Sequence, residues 1–159
     1  MILHLRVDER LAHGQVCLSW LKFLSATHLL VINDEVAADN FQKQVMSLGI
    51  PNDVKSLFAT VDKGIEILNN PKSATLKIYP IVKTPADAIK VLNAVEGIKE
   101  VVFGAFGAIV PQDKVTSIKI CQGMSLDAEN VAFVKEIQKK VKEVYFQETP
   151  NYKKFLFNF

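Results

Sequence analysis

The sequence has few cysteines, and the two that it has carry no recognisable pattern. Cys17 and Cys121 stand far apart, and their separation matches neither a metal-ligand spacing nor a redox motif. Both lie among apolar residues, so we expect two buried thiols in a reducing cytoplasm. The three histidines are equally scattered and show no ligand spacing, so no metal site is expected.

Long apolar runs and a strong charge of one sign are also missing. No apolar stretch approaches the roughly 20 residues that a membrane-spanning helix needs. The N-terminus lacks a basic region followed by an apolar one, so we expect no signal peptide. The net charge is only +2. Lysines become denser late in the chain, but those on the last predicted helix are interspersed with glutamate, and no RNA-binding or zinc-finger pattern accompanies them. We therefore expect a solvated helix face there and no nucleic-acid partner.

What the chain does have is an alternation of strand-like and helix-like segments. Its 159 residues, 49% of them hydrophobic, suffice for one domain with a substantial core, and we assign residues 1–159 to a single domain. Short apolar runs predict strands at 2–7, 27–32, 54–59, 75–82, 100–103 and 141–147. Helical spacing predicts helices at 15–24, 38–48, 61–68, 84–94 and 127–140. Residues 104–126 are less regular, with short strands expected around 117–121.

This alternation predicts an α/β fold, with an open, mostly parallel, twisted sheet. Strands that alternate with helices of about ten residues form βαβ units, and right-handed crossovers put helices on both faces. Open sheets of this kind bind ligands outside the carboxyl ends of their strands. The loops that meet there are expected to carry Asp8 to His13, Asn33 to Glu35, Thr60, Lys83 with Thr84, and Gly104 to Gly107.

One helix start is specified in detail by the sequence Thr84-Pro85-Ala86-Asp87. Threonine is a good N-cap, proline suits the first helical position, and Asp87 stands at the third. This places Lys83 at the carboxyl end of the fourth strand. The aromatic segment 152–159 is expected to pack back on the domain or on another subunit, because an exposed apolar tail would favour aggregation.

A lone histidine stands where the first strand gives way to the first helix. The stretch reads Arg6-Val7-Asp8-Glu9-Arg10-Leu11-Ala12-His13-Gly14-Gln15-Val16. Arginine binds phosphate oxygens through a planar fork of donors, and a helix start adds free N–H groups and a positive dipole end. A histidine there can be the nucleophile that carries a phosphoryl group. The simpler interpretation is structural, with His13 capping the helix and Arg6 and Arg10 paired to Asp8 and Glu9.

Under the phosphoryl interpretation each residue of the stretch has a candidate role. His13 accepts and donates the phosphoryl group, and Arg10 grips its oxygens. Arg6 either points into the site or pairs with Asp8, whose carboxylate could orient the imidazole. Gly14 lets the backbone approach closely at the helix start. Gln15 donates to a phosphate oxygen or faces water.

The neighbouring loops and the remaining histidines carry weaker candidates. Asp34 and Glu35 are expected to pair with the arginines or to meet a basic partner, and Lys83, with Thr84, either supplies positive charge or is simply solvated. Three further residues rank lower. They are His4, packed within the first strand, His28, at the opposite edge of the sheet, and Trp20, for which core packing is favoured and sugar stacking is the minor interpretation.

The first motif resembles the signature of the B subunit (IIB) of the mannose/fructose/sorbose family of sugar phosphotransferase systems. The resemblance rests on Arg-x-Asp-x-Arg-Leu-x-His-Gly-Gln-Val, from Arg6 to Val16. It extends to Val31-Ile32-Asn33-Asp34-Glu35-Val36-Ala37, which is similar to the second strand and turn of that family, and to Lys83-Thr84-Pro85, which is similar to its fourth loop. The length of the chain fits as well.

The resemblance implies a phosphohistidine–sugar phosphotransferase whose phosphorylated residue is His13. Its phosphoryl donor would be an A subunit (IIA), and the acceptor a hexose or amino sugar held by the membrane subunits (IIC and IID). It also implies a cytoplasmic protein that associates peripherally with those subunits, phosphorylation at Nδ1, and the capacity to form a homodimer. No cofactor is expected, because the arginines and the helix start neutralise the phosphoryl charge.

One loop departs from the family pattern. Where the family reads Asn-x-Gly-Gly-Met after the fifth strand, this chain reads Phe103-Gly104-Ala105-Phe106-Gly107-Ala108-Ile109. This change favours an alternative function, that of a non-catalytic regulatory or docking module of the same fold. The intact first motif favours the phosphocarrier.

Overall fold

A computed structural model describes residues 1–113 and 117–159 of the chain. The strands are β1 (Leu5–Val7), β2 (His28–Ile32), β3 (Lys55–Ala59), β4 (Ile78–Val82), β5 (Glu100–Phe103), β6 (Ile118–Cys121), β7 (Met124–Leu126), β8 (Glu143–Phe146) and β9 (Phe155–Leu156). The helices are α1 (Gly14–Phe23), α2 (Asp34–Ala37), α3 (Asn40–Leu48), α4 (Val61–Asn69), α5 (Pro85–Ala94) and α6 (Ala128–Gln138).

Seven of the strands form one sheet in the order β3-β2-β4-β1-β5-β8-β9. Every neighbouring pair is parallel except β8 and β9, which are antiparallel. β6 and β7 form a separate antiparallel hairpin. The predicted mostly parallel sheet is therefore confirmed. β1 lies between β4 and β5, so the loop that follows it opens at the centre of the carboxyl edge.

Both faces of the sheet are covered, because successive strand residues point to opposite sides. In β2, Leu29 and Val31 join one apolar cluster, and Leu30 and Ile32 join the other. Each such side chain contributes roughly 1.5–3 kcal/mol when fully buried. The first cluster includes Cys17, Trp20 and Leu21 of α1, and the second includes Val61 and Leu68 of α4, Ala88 and Val91 of α5, and Val134 and Ile137 of α6. Helices on both faces, as predicted, are confirmed.

The predicted element bounds were wrong at three places. The helix expected at 38–48 is α3, which begins only at Asn40 because the Asp39 side chain accepts hydrogen bonds from the N–H groups of Phe41 and Gln42, and the short helix α2 before it was not predicted. The strand expected from residue 75 begins at Ile78, after a 3₁₀ helix at Pro71–Thr75. The first strand is only Leu5–Val7, and Ile2 adds a single bridge to Ile78.

The later part of the chain follows the prediction more closely. The strand expected around 117–121 is β6, although residues 114–116 of the irregular segment lie outside the described residues. The aromatic tail packs back on the domain, as one of the two alternatives had it. β9 pairs with β8, and Phe157 is buried against Phe103. Within the described residues, no helix has the length and apolarity needed to cross a bilayer.

Candidate functional site

Loops from four parallel strands meet at the carboxyl edge of the sheet, as predicted. They enclose a cleft of about 420 Å³ whose lining includes Arg10 and His13 after β1, Glu35 after β2, Lys83 after β4 and Ile109 after β5. Thr60, after β3, does not line this cleft. Its hydroxyl caps α4 by accepting the Lys63 N–H.

His13 is exposed, and its ring makes no hydrogen bond or ion pair with the described residues. It stands at the N-cap position of α1 with extended backbone (φ −122°, ψ 113°), and its side chain makes no capping hydrogen bond. The capping interpretation is therefore excluded. A second cleft of about 450 Å³, which also touches Gly14, Phe41 and Val45, lies against the same residue. An approaching molecule can reach the imidazole from the surface.

The loop that presents His13 contains two left-handed residues. Leu11 has φ +58°, which is strained for a side chain of its size, and its N–H donates to the Asp8 carbonyl. Its buried side chain, only 5% exposed, holds that conformation against the core. Gly14 has φ +49°, which glycine adopts freely. The sequence therefore turns the chain tightly between the buried strand and the exposed histidine.

Arg10 is held in place by a buried carboxylate. Asp8, 1% exposed, accepts hydrogen bonds from Arg10 through its backbone N–H, Nε and Nη2, each at 3.0 Å. Glu148 adds a weaker contact from Oε1 to Arg10 Nη1 at 3.4 Å. These hydrogen bonds, above all that with Asp8, raise the pKa of the Arg10 guanidinium, so it stays charged. No hydrogen bond joins Asp8 to the His13 ring among the described residues, and the proposed orientation of the imidazole by Asp8 has no support in this geometry.

Arg6 pairs with Asp8, which was one of its two candidate roles. Its Nη2 lies 3.0 Å from Asp8 Oδ2, and the side chain is 2% exposed. Its Nη1 donates to the backbone carbonyl of Gln147 and its Nη2 to that of Glu148, both at 3.0 Å. A guanidinium so enclosed does not face the cleft, so the expectation that Arg6 binds phosphate directly is not supported. Arg6 instead forms an ion pair with the Asp8 carboxylate, and that carboxylate in turn holds the Arg10 guanidinium.

The loop after β8 was missing from the sequence-based site. The Glu148 carbonyl accepts the Trp20 indole N–H at 2.8 Å as well as the Arg6 guanidinium, and Arg6 lies 5.4 Å from the Trp20 ring centroid. Trp20 is therefore a core residue, as expected, but it also helps to position the arginines. No sequence pattern signals this contact, since it depends on β8 lying two strands from β1.

The acidic neighbours do not pair with the arginines, which was one of the two alternatives predicted for Asp34 and Glu35. Glu35 lies 3.7 Å from Lys83 Nζ, and Asp34 accepts the Val61 N–H at the start of α4. Glu9 is buried and accepts backbone N–H groups of the loop after β5 instead of binding Arg6 or Arg10. For Asp34 and Glu9 the cause is the same, because backbone N–H groups nearby compete successfully for these two carboxylates.

The weaker candidates take these positions. Lys83 is half-buried at the cleft and paired with Glu35, so it is not simply solvated. Thr84 caps α5 by accepting the Asp87 N–H at 3.1 Å, which confirms the predicted helix start. Gln15 is exposed at the start of α1.

The other histidines and the cysteines lie outside the site. His4 is buried, and burial lowers its pKa to about 3. His28 starts β2 at the opposite edge, as predicted. Cys17 is buried, which raises its pKa to about 12, whereas Cys121 is only half-buried, contrary to expectation. No group of three metal-binding side chains occurs among the described residues.

Comparison with known proteins identifies the family to which this architecture belongs. A sequence model of the family described as "PTS system sorbose subfamily IIB component" matches residues 2–156. The chain belongs to this family. A probable phosphotransferase enzyme IIB component of Streptococcus pyogenes is 32% identical over 137 residues, 86% of this chain and 84% of that protein. The sorbose-specific EIIB component of Lacticaseibacillus casei is 29% identical over 132 residues, 83% of this chain and 77% of that protein.

Solved structures of IIB components have the same fold. The N-acetylgalactosamine-specific IIB component 1 of Escherichia coli superposes with a TM-score of 0.85 at 26% identity, over 99% of this chain and 100% of that one. The resemblance drawn from the first motif is confirmed. The IIB components of the sugar phosphotransferase systems are phosphoryl-transfer subunits, and this chain is one of them.

Proposed function

We propose that this IIB component carries a phosphoryl group on His13, from a phosphorylated IIA subunit to a sugar held by the membrane subunits IIC and IID. The observation that carries the proposal is the exposed, uncapped imidazole at the start of α1, beside the charged Arg10. A phosphorelay residue has to be reached by two different molecules in turn, and two clefts open against this one.

The transfer needs placement and charge neutralisation more than covalent machinery. A ring nitrogen of neutral His13, Nδ1 by resemblance to the family, attacks the phosphorus of the donor's phosphohistidine. The new N–P bond forms as the donor's N–P bond breaks, and the donor imidazole leaves. In the second step a sugar hydroxyl attacks phosphorus, the bond to His13 breaks, and the hydroxyl proton is released.

Residues around His13 stabilise the phosphoryl oxygens. Arg10 supplies a fixed cation, because Asp8 orders its guanidinium and Arg6 in turn holds Asp8. The first N–H groups of α1, at Gly14 and Gln15, have no partner within the helix and are available to donate to phosphoryl oxygens at its start. Lys83 adds charge from the β4 loop once it releases Glu35, and Thr84 stands beside it.

The proposed reaction also implies where the protein is located in the cell. A carrier that receives phosphate from one protein and delivers it to a membrane-bound sugar works in the cytoplasm, at the surface of the membrane subunits. The choice between sugars belongs to the subunits that hold them. The changed loop at residues 103–109 favours the alternative docking module, whereas the exposed His13 in a cleft with Arg10 favours the carrier.

Labelling tests the proposal directly. The chain is incubated with IIA carrying a radioactive phosphoryl group, and the label on the IIB component is measured. We expect label that acid removes and base does not, and we expect the His13→Ala variant to take up none. His28→Ala is the matched control, because it removes an imidazole at the far edge of the sheet and should label like the unaltered chain. Full labelling of His13→Ala, or no labelling of the unaltered chain, would overturn the proposal.

A further inference from the structure

Glu9 makes the densest set of backbone hydrogen bonds of any side chain near the site. Its Oε2 accepts the N–H groups of Gly107, Ile109 and Val110 at 3.0 to 3.1 Å, and its Oε1 accepts that of Ala108 at 3.1 Å. The residue is 4% exposed. Four successive N–H groups that converge on one carboxylate form an anion-binding concavity, filled here by the protein's own side chain.

The segment tied down by Glu9 is the loop in which this chain departs from the family pattern. Gly107 has φ +105°, and a Cβ there would lie 2.5 Å from the Ser125 carbonyl oxygen, so the backbone path needs glycine. Further along, Gln112 accepts the Asp127 N–H at 2.8 Å. The loop is therefore anchored at both ends, and Glu9 provides the anchor nearest the site.

This anchor joins two walls of the cleft that contains His13. Glu9 stands between Asp8, which orders Arg10, and Arg10 itself, and it also lines the cleft. Ile109, in the loop that Glu9 holds, lines the same cleft and is 63% exposed. The Glu9 carboxylate therefore ties Ile109 to the segment of chain that carries Arg10.

The hydrogen bonds to Glu9 also reduce the effect of its negative charge next to Arg10. A carboxylate adjacent to Arg10 would repel an incoming phosphoryl group or compete for the guanidinium. Four N–H dipoles offset the Glu9 charge and occupy its carboxylate oxygens. Arg10 is left with Asp8 as its one buried carboxylate partner, and it lines the cleft together with His13.

We propose that Glu9 is a positioning residue for phosphoryl transfer, which holds the 107–110 loop as the docking wall for the phosphorylated IIA donor. The inference rests on the proposed function, since it concerns how the donor reaches His13. Glu9 touches neither donor nor phosphoryl group. Its loss loosens the surface that the donor meets, so the donor is captured less well while the chemical step at His13 is preserved.

The test is Glu9→Gln, which keeps the size of the side chain but puts an amide NH₂ where one carboxylate oxygen accepts. Glu96→Gln is the matched control, because Glu96 is exposed at the opposite edge of the sheet. Hydrogen exchange of the amides of residues 107–110 is followed by NMR, and transfer from phosphorylated IIA is measured over a range of donor concentrations. We expect exchange at these four amides to quicken, the KM for the donor to rise about tenfold, and kcat to change less than about twofold.

Each outcome bears on the inference. Unchanged exchange at residues 107–110 would show that Glu9 does not hold the loop. Faster exchange with an unchanged KM would show that the loop is not the docking wall, and an equal fall in kcat and kcat/KM would place the effect on the chemical step instead. If the unaltered chain takes up no phosphoryl group, the proposed function fails, while the exchange measurement still tests the tie between Glu9 and the loop.

Discussion

Asp8 shows how one buried charge organises the site. Its carboxylate accepts from Arg6 and Arg10 and lies almost wholly out of water. Removing one member of such a group strands the others, which costs far more than the net stability of the group. The cluster also needs space. Gly104, at the end of β5, lies so close to the Asp8 carboxylate and the Arg6 guanidinium that a Cβ there would collide with both.

Substitution of Gly104 therefore tests the cluster without touching a charge. We expect Gly104→Ala to lower the free energy of unfolding by about 3 kcal/mol, because the added methyl displaces a buried ion pair. Gly49→Ala is the control, since a Cβ at Gly49 would make only an ordinary contact of 3.9 Å and should change stability by less than about 0.5 kcal/mol. Urea denaturation followed by circular dichroism measures both. Equal stability of the two variants would mean that the cluster tolerates the displacement.

The residues that sequence analysis could find are those whose partners are close in the chain. Arg10 and His13 are three positions apart, so a single motif reveals both. Glu9 and its loop are separated by 98 to 101 positions, and Arg6 and Gln147 by 141. Those contacts exist because β5 lies beside β1 in the sheet and β8 lies beside β5, and no local pattern encodes that order.

Some helix starts can be predicted from the residues at the start itself, and others cannot. Thr84, Pro85 and Asp87 specify α5 through local chemistry, and the structure has that cap. Asp39 is the N-cap of α3, so this helix begins two residues later than the helical spacing predicted. Its two hydrogen bonds to backbone N–H groups outweigh the periodicity, and a pattern of apolar residues cannot show that competition.

The contribution of the Thr84 cap of α5 to stability can be tested by substitution. Thr84→Ala removes the oxygen that accepts the Asp87 N–H, and we expect a loss of about 1 kcal/mol of stability. Thr84→Ser keeps a hydroxyl at the same position and should recover most of the loss. Thermal and urea unfolding of the three proteins measure the difference. If serine fails to restore stability, the threonine methyl rather than the cap is what matters.

The two ends of the central sheet place their histidines in different environments. The carboxyl edge carries the exposed His13, whereas the amino edge holds a second histidine in the core. His4 lies with its ring 5.0 Å from that of Trp20 and 5.2 Å from that of Tyr79. Burial, together with the nearby charges of Arg6 and Lys154, lowers its pKa from 6.5 to about 3. The folded protein therefore keeps this imidazole neutral where the unfolded chain takes up a proton.

Global stability should consequently fall as the pH drops below 6.5. In that range the unfolded state binds one more proton at His4 than the folded state, so His4 removes about 1.4 kcal/mol per pH unit, or about 2 kcal/mol between pH 6.5 and 5. Carboxylates with ordinary pKa values titrate mostly below this window. His4→Phe keeps an aromatic ring between Trp20 and Tyr79 but cannot take up a proton, so its unfolding free energy should lose most of this slope. His28→Gln, at a more accessible histidine, should retain it. Urea unfolding at several pH values from 5 to 7.5 decides the matter, and a slope that survives in His4→Phe would place the titrating group elsewhere.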